Sequence, residues 1–130
     1  ALCALNTTTR ALQFAGAQNP LWIKRATSSE LEEIKGDKQP IGKYSDPKPF
    51  TNHTLQLEAG DAFYIFSDGY ADQFGGPKGK KLKYKPFKEL LLSINDKPME
   101  ERKQIIDQHF ETWKGDLEQV DDVCVIGVRV

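Results

Sequence analysis

With 130 residues, 38% of them hydrophobic and 28% charged, the chain suits one folded domain and is too apolar to be disordered. Its 18 Lys and Arg against 19 Asp and Glu leave a net charge of −1. That excludes an overall basic field for nucleic acid or an anionic membrane surface. No apolar run approaches the ~20 residues a membrane-crossing helix needs.

Strands come first. Ala1–Leu5 alternates apolar and small residues, turns through Asn6–Arg10 into Ala11–Ala15, and bends at Gly16–Pro20 into Leu21–Ile23. The stretch ELEEIKGDKQPIGKY reads as a short edge strand and a loop punctuated by Gly36, Pro40 and Gly42. HTLQLEAGDAFYIFSDG reads as a hairpin. Leu55 and Leu57 alternate with polar residues, Ala59-Gly60-Asp61 makes the turn, and Ala62–Phe66 returns.

Helices follow. Pro86 fits the first turn of one whose Phe87, Leu90, Leu91 and Ile94 share a face. A second is expected to be capped by Asp96, to carry Pro98 in its first turn and the stripe Met99, Ile106, Phe110 and Trp113, and to stop at Gly115. Both stripes are expected to pack on a sheet. VDDVCVIGVRV closes the chain as a strand, Val123–Val130, with both faces covered. This order implies an α+β layering in which helices cover antiparallel sheets.

Cys3 and Cys124 have neither metal-ligand spacing nor disulfide density, and are expected to be buried free thiols in a reducing, cytoplasmic compartment. Thr7, Thr8, Thr9 and Arg10 interrupt the first segment before any leader-like stretch develops. The opening Ala1-Leu2-Cys3 already reads as strand, and the only methionine is Met99, so the chain reads as a piece of a larger protein.

Two places put acidic residues where a strand meets a loop: Asp68 after Ala62–Phe66, and Asp121-Asp122 before Val123–Val130. Carboxylates converging from separate strand ends repel one another unless a hard divalent cation such as Mg²⁺ or Mn²⁺ sits between them. Gly69 would let the backbone turn sharply and approach such an ion. The alternative is a plain Asp-Gly turn and a solvated strand entrance.

LQLEAGDAFYIFSDGYADQFG, followed some fifty residues later by QVDDVCVIGVRV, resembles the C-terminal half of a SpoIIE-like, RsbU-like serine phosphatase of the PPM type. FAGAQNPLWIKR and KQPIGKY match further motifs of that family, in its order. The resemblance implies the C-terminal portion of a layered αββα sandwich, with residues 1–130 as part of one phosphatase domain. It implies that Asp68 and Asp121 are metal ligands, with Gly69 and Asp122 supporting them and no role assigned to Asp72. Two Mn²⁺ or Mg²⁺ ions in the complete domain would activate a water for attack on phosphoserine or phosphothreonine. His53 and His109 are expected to be ordinary side chains.

One departure is large. The family's other metal motif, which supplies the aspartate bridging the two ions, has no counterpart in these residues, so the chain by itself is expected to be inactive. The resemblance further implies a cytoplasmic signalling phosphoprotein as substrate, of the kind that controls anti-sigma factors, and sensory or signalling domains upstream. A half-domain would leave sheet edges unpaired, so a dimer is one expected outcome. The rival reading is a non-catalytic, partner-binding signalling module that keeps the fold. PKGKKLKYKPFK carries six lysines. Lys80, Lys81 and Lys83 are candidates for docking a substrate, against the plainer reading of a solvated loop.

Overall fold

The computed structural model describes residues 1–130. In chain order the elements are β1 (Leu2–Leu5), β2 (Ala11–Ala15), β3 (Leu21–Lys24), β4 (Leu31–Ile34), β5 (His53–Gln56), β6 (Ala62–Phe66), α1 (Gly69–Asp72), β7 (Phe74–Gly75), β8 (Lys80–Lys81), α2 (Tyr84–Ser93), α3 (Met99–Lys114) and β9 (Val125–Arg129). They fall into two compact units, Ala1–Phe66 with Ile126–Val130, and Ser67–Val125. None of the helices is long and apolar enough to cross a membrane.

The first unit is a sandwich of two sheets, ordered β1-β2-β5 and β4-β3-β6-β9. Antiparallel register sets Leu2 opposite Ala15, Phe14 opposite His53, and Trp22 opposite Tyr64. Alternation then turns Leu12 and Phe14 of β2 inward, where they form one core with Leu21, Ile23, Leu57 and Phe63. Each such side chain contributes about 1.5–3 kcal/mol when fully buried.

The expected hairpin over residues 53–69 does not form. β5 pairs with β2, while β6 pairs with β3, so the two strands belong to different sheets. The connection is a corner held by Asp61. Its carboxylate accepts from the Glu58 and Ala26 amides at 3.0 and 2.7 Å and from Arg25 at 3.0 Å. One donor lies within the corner and two follow β3, so Asp61 ties the corner to the sheet that β6 joins.

The last strand also differs. It begins at Val125, two residues late, and lies at a sheet edge. Val128 and Val130 pack on the core, but Ile126 is 48% exposed, so both faces are not covered. The cysteines are free but not buried as expected. Cys3 is half-buried against the core at the start of the chain, and Cys124 is exposed in the segment just before β9.

In the second unit Tyr70 is the hub. Its ring stacks on Phe87 at 4.2 Å and packs against Phe110 at 5.3 Å, uniting α1, α2 and α3. Phe87, Leu91 and Ile94 of the first stripe are buried and Leu90 is half-buried; of the second, Phe110 is buried, while Met99, Ile106 and Trp113 are half-buried. Asp96 does not cap α3, whose cap position is Pro98 with no side-chain bond. Arg102, buried inside the helix, instead reaches back to the Lys97 carbonyl at 2.8 Å and to the Asn95 carbonyl. A buried guanidinium needs acceptors, and these entry carbonyls supply them.

Candidate functional site

The chain leaving β6 is fastened to the segment entering β9. The Ser67 hydroxyl donates to the Asp122 carbonyl at 2.7 Å and accepts from the Cys124 amide at 2.9 Å. The Ser67 amide donates to the Cys124 carbonyl at 3.0 Å. Two residues on, Gly69 lies so close to the Asp122 carbonyl that a Cβ there would overlap it. The glycine thus allows a close approach of two backbones.

This clip brings the Asp68 and Asp121-Asp122 segments together from positions more than fifty residues apart. All three aspartates are exposed. Asp68 stands at the cap position of α1, yet its carboxylate makes no cap bond. Its carbonyl accepts from the Asp72 amide at 2.9 Å. Asp121 Oδ1 accepts from the Asp122 amide at 2.8 Å. Neither Asp121 nor Asp122 opens the strand itself, and both lie in the loop before Val125.

In chemistry the donors fit a hard dication: they are carboxylate oxygens, open to solvent, at the ends of anchored segments. In number they fall short, since no three His, Cys, Asp or Glu side chains form a group able to hold a metal.

Other singled-out residues take structural places. Asp72 forms an ion pair with Lys81 at 3.2 Å. His109 Nδ1 lies 3.1 Å from the Tyr70 hydroxyl, and burial lowers its pKa. The Tyr70 hydroxyl donates to the Ile106 carbonyl at 3.0 Å, and burial, with Asp107 adding, pushes its pKa well up. His53 lies against Phe14, ring centroids 5.9 Å apart. Lys80 and Lys83 are exposed, whereas the Lys81 ammonium is committed to Asp72 and also lies 5.8 Å from the Phe74 ring centre.

Sequence reasoning missed Ser67 and Tyr70. A hydroxyl directly before Asp68, at the end of an apolar strand, was the available signal for the first. The second offered only an aromatic after a glycine, which marks no site by itself.

The two-sheet sandwich with its short helical elements is shared with solved PP2C phosphatase domains. The SiaA-PP2C domain of Pseudomonas aeruginosa is 28% identical with a TM-score of 0.80, the match covering 93% of this chain and 46% of that one. The RsbU and RsbW domains of Rv1364c from Mycobacterium tuberculosis are 19% identical with a TM-score of 0.73, covering 98% and 34%. The manganese-presoaked phosphatase domain of the cell fate determinant SpoIIE from Bacillus subtilis is 23% identical with a TM-score of 0.65, covering 99% and 55%. The chain thus spans about half or less of each of these structures. The fold is that of PP2C-type phosphatases.

The family model described as Stage II sporulation protein E (SpoIIE) matches residues 1–130, and the chain belongs to this family. None of the curated proteins matches it in sequence.

Proposed function

We propose that the chain is the C-terminal part of a single phosphatase domain, and that the complete domain hydrolyses phosphoserine or phosphothreonine in a signalling phosphoprotein. Asp68 and Asp121 are the proposed metal ligands, and Mn²⁺ or Mg²⁺ the cation class. The observation that carries this reading is the Ser67 clip, which holds the Asp68 and Asp121-Asp122 segments side by side. A relative solved after presoaking with manganese adds support for the cation. When bound, such ions offset phosphate charge and lower the pKa of water.

The chain's own residues prepare for that chemistry. Gly69 leaves room for the Asp122 backbone, Ser67 fixes the register of the two segments, and Asp68 keeps its carboxylate out of the helix cap. The remaining ligands are proposed to lie outside these 130 residues, which makes the chain alone catalytically silent. Its substrate class would be a cytoplasmic phosphoprotein of the kind that controls anti-sigma factors, with sensory domains upstream.

The test is hydrolysis of p-nitrophenyl phosphate in Mn²⁺. In the complete domain, Asp68→Asn and Asp121→Asn should each lower the rate at least ~100-fold. Undiminished turnover in both variants would remove the ligand assignment. Turnover by the 130-residue chain, lost on Asp68→Asn, would overturn its silence.

A further inference from the structure

We propose that the β7–β8 ribbon and the first turn of α2 form a docking surface for an acidic face of the phosphoprotein substrate. The partner's identity rests on the phosphatase reading; the surface itself does not. Residues 78–88, KGKKLKYKPFK, hold six of the chain's 18 basic residues and none of its 19 acidic ones. Lys78, Lys80, Lys81, Lys83 and Lys85 are all exposed. Such a concentration in a chain of net charge −1 makes a local positive field that an acidic surface would complement.

The helix behind the ribbon adds to that field. α2 has no acidic residue in its first turn and no side-chain cap bond, so that turn itself supplies nothing to offset the positive end of its dipole. Phe74 and Tyr84 stand among the lysines at 42% and 40% exposure. Exposed aromatic rings beside cations supply the contact area that protein interfaces favour over a merely solvated loop.

The ribbon is also held in place. The Gly76 amide donates to the Trp113 carbonyl at 2.8 Å, and Gly75 lies so close to Trp113 that no Cβ would fit. Trp113 Nε1 in turn donates to the Gln73 carbonyl at 2.9 Å. Just past the return strand, Leu82 is buried and its amide donates to the Gln73 carbonyl at 3.0 Å, while the Lys83 amide donates to the Ala71 carbonyl at 2.7 Å. Lys83 keeps a positive φ of 72° at this junction, which costs a non-glycine residue of order 1 kcal/mol. A surface ordered in advance loses less entropy on docking.

Finally, the ribbon is tied to the candidate site. Lys81 pairs with Asp72, whose amide bonds the Asp68 carbonyl one helical turn away. A partner held on these lysines would therefore be held beside Asp68. Lys81 acts as the anchor, and Lys80, Lys83 and Lys85 are left to meet the partner.

The experiment reads binding, not turnover. Fluorescence anisotropy of a labelled acidic peptide carrying one phosphoserine should show saturable binding to the chain. That binding should weaken as salt rises and the Debye length falls from ~10 Å at 0.1 M to ~3 Å at 1 M. Lys80→Glu, Lys83→Glu and Lys85→Glu together should weaken it at least ~10-fold. The same reversals at exposed Lys35, Lys38 and Lys43 should change it less than ~2-fold.

Circular dichroism checks that each variant folds, and replacing the three ribbon lysines by Gln is the milder set if charge reversal unfolds the chain. Equal losses in both sets, no salt-sensitive binding by the parent chain, or tighter ribbon-dependent binding to a DNA duplex than to the peptide would each overturn the proposal. Because no metal or hydrolysis enters the readout, its failure leaves the phosphatase reading standing. Full activity of Asp68→Asn would sink only that reading.

Discussion

Strand β6 carries an aspartate just before its start and another just after its end, and the two have opposite fates. Asp61 is 1% exposed, and its carboxylate is consumed by Arg25 and by two backbone amides. Burial by itself would raise its pKa, but these hydrogen bonds outweigh burial and leave it lowered. Asp68 is exposed and declines even the cap bond its position offers. A carboxylate surrounded by donors from its own chain holds a corner together. One left without them remains available to a cation or substrate.

The sharpest way to break this contrast is to remove both carboxylates in turn. Asp61→Ala should cost about 3 kcal/mol of stability, since it strands two amides and a partly buried guanidinium. Asp68→Asn should leave the urea midpoint within about 0.5 kcal/mol of the parent, the usual range for an exposed site, while lowering hydrolysis by the complete domain as stated above. Equal destabilisation by the two substitutions would erase the distinction.

Gly69→Ala should come next, at about 2 kcal/mol, because the new Cβ meets the Asp122 carbonyl and must push the clipped segments apart. In the complete domain it should lower activity as well. A variant with parental stability and activity would show that the close approach does not matter.

Ser67→Ala removes one donor and one acceptor and should cost about 1–2 kcal/mol, read from the same urea curves. Its activity loss should exceed what unfolding explains, because Asp68 and Asp121 lose their common fastening. Loss of stability alone would make the clip merely structural.

The smallest effect is on acid sensitivity. A carboxylate whose folded pKa lies below its unfolded value of about 3.9 binds protons first in the unfolded state. Asp61 therefore stabilises the fold fully above about pH 4, and loses that contribution as pH falls through its folded pKa. Asp37, held low by the Thr51 amide and hydroxyl, acts in the same direction. The melting temperature of the parent should drop between about pH 5 and pH 2, and Asp61→Asn should flatten part of that slope. Parallel slopes would contradict the assignment.

Much of this was written locally. Alternation and apolar runs determined β1 through β6, and helical spacing determined the buried face of α2 through Phe87 and Leu91, because period and burial are properties of neighbouring residues; in α3 it gave Phe110 but not the buried Arg102. The motif around Ser67-Asp68-Gly69, and its distant counterpart at Asp121-Asp122, were likewise visible and carried the family with them.

Pairing was not visible, since a strand's partner lies far along the chain. Local alternation cannot tell a hairpin from a corner; β5 pairs with β2 and β6 with β3, and Asp61 holds the corner between them. The Ser67 clip is of the same kind, joining residues 55 and 57 positions apart in sequence. Sequence placed Asp68 at the end of a strand. Tertiary structure decided what Gly69 is for: hydrogen bonds across that separation set two backbones against each other, and only a residue without a side chain fits between them.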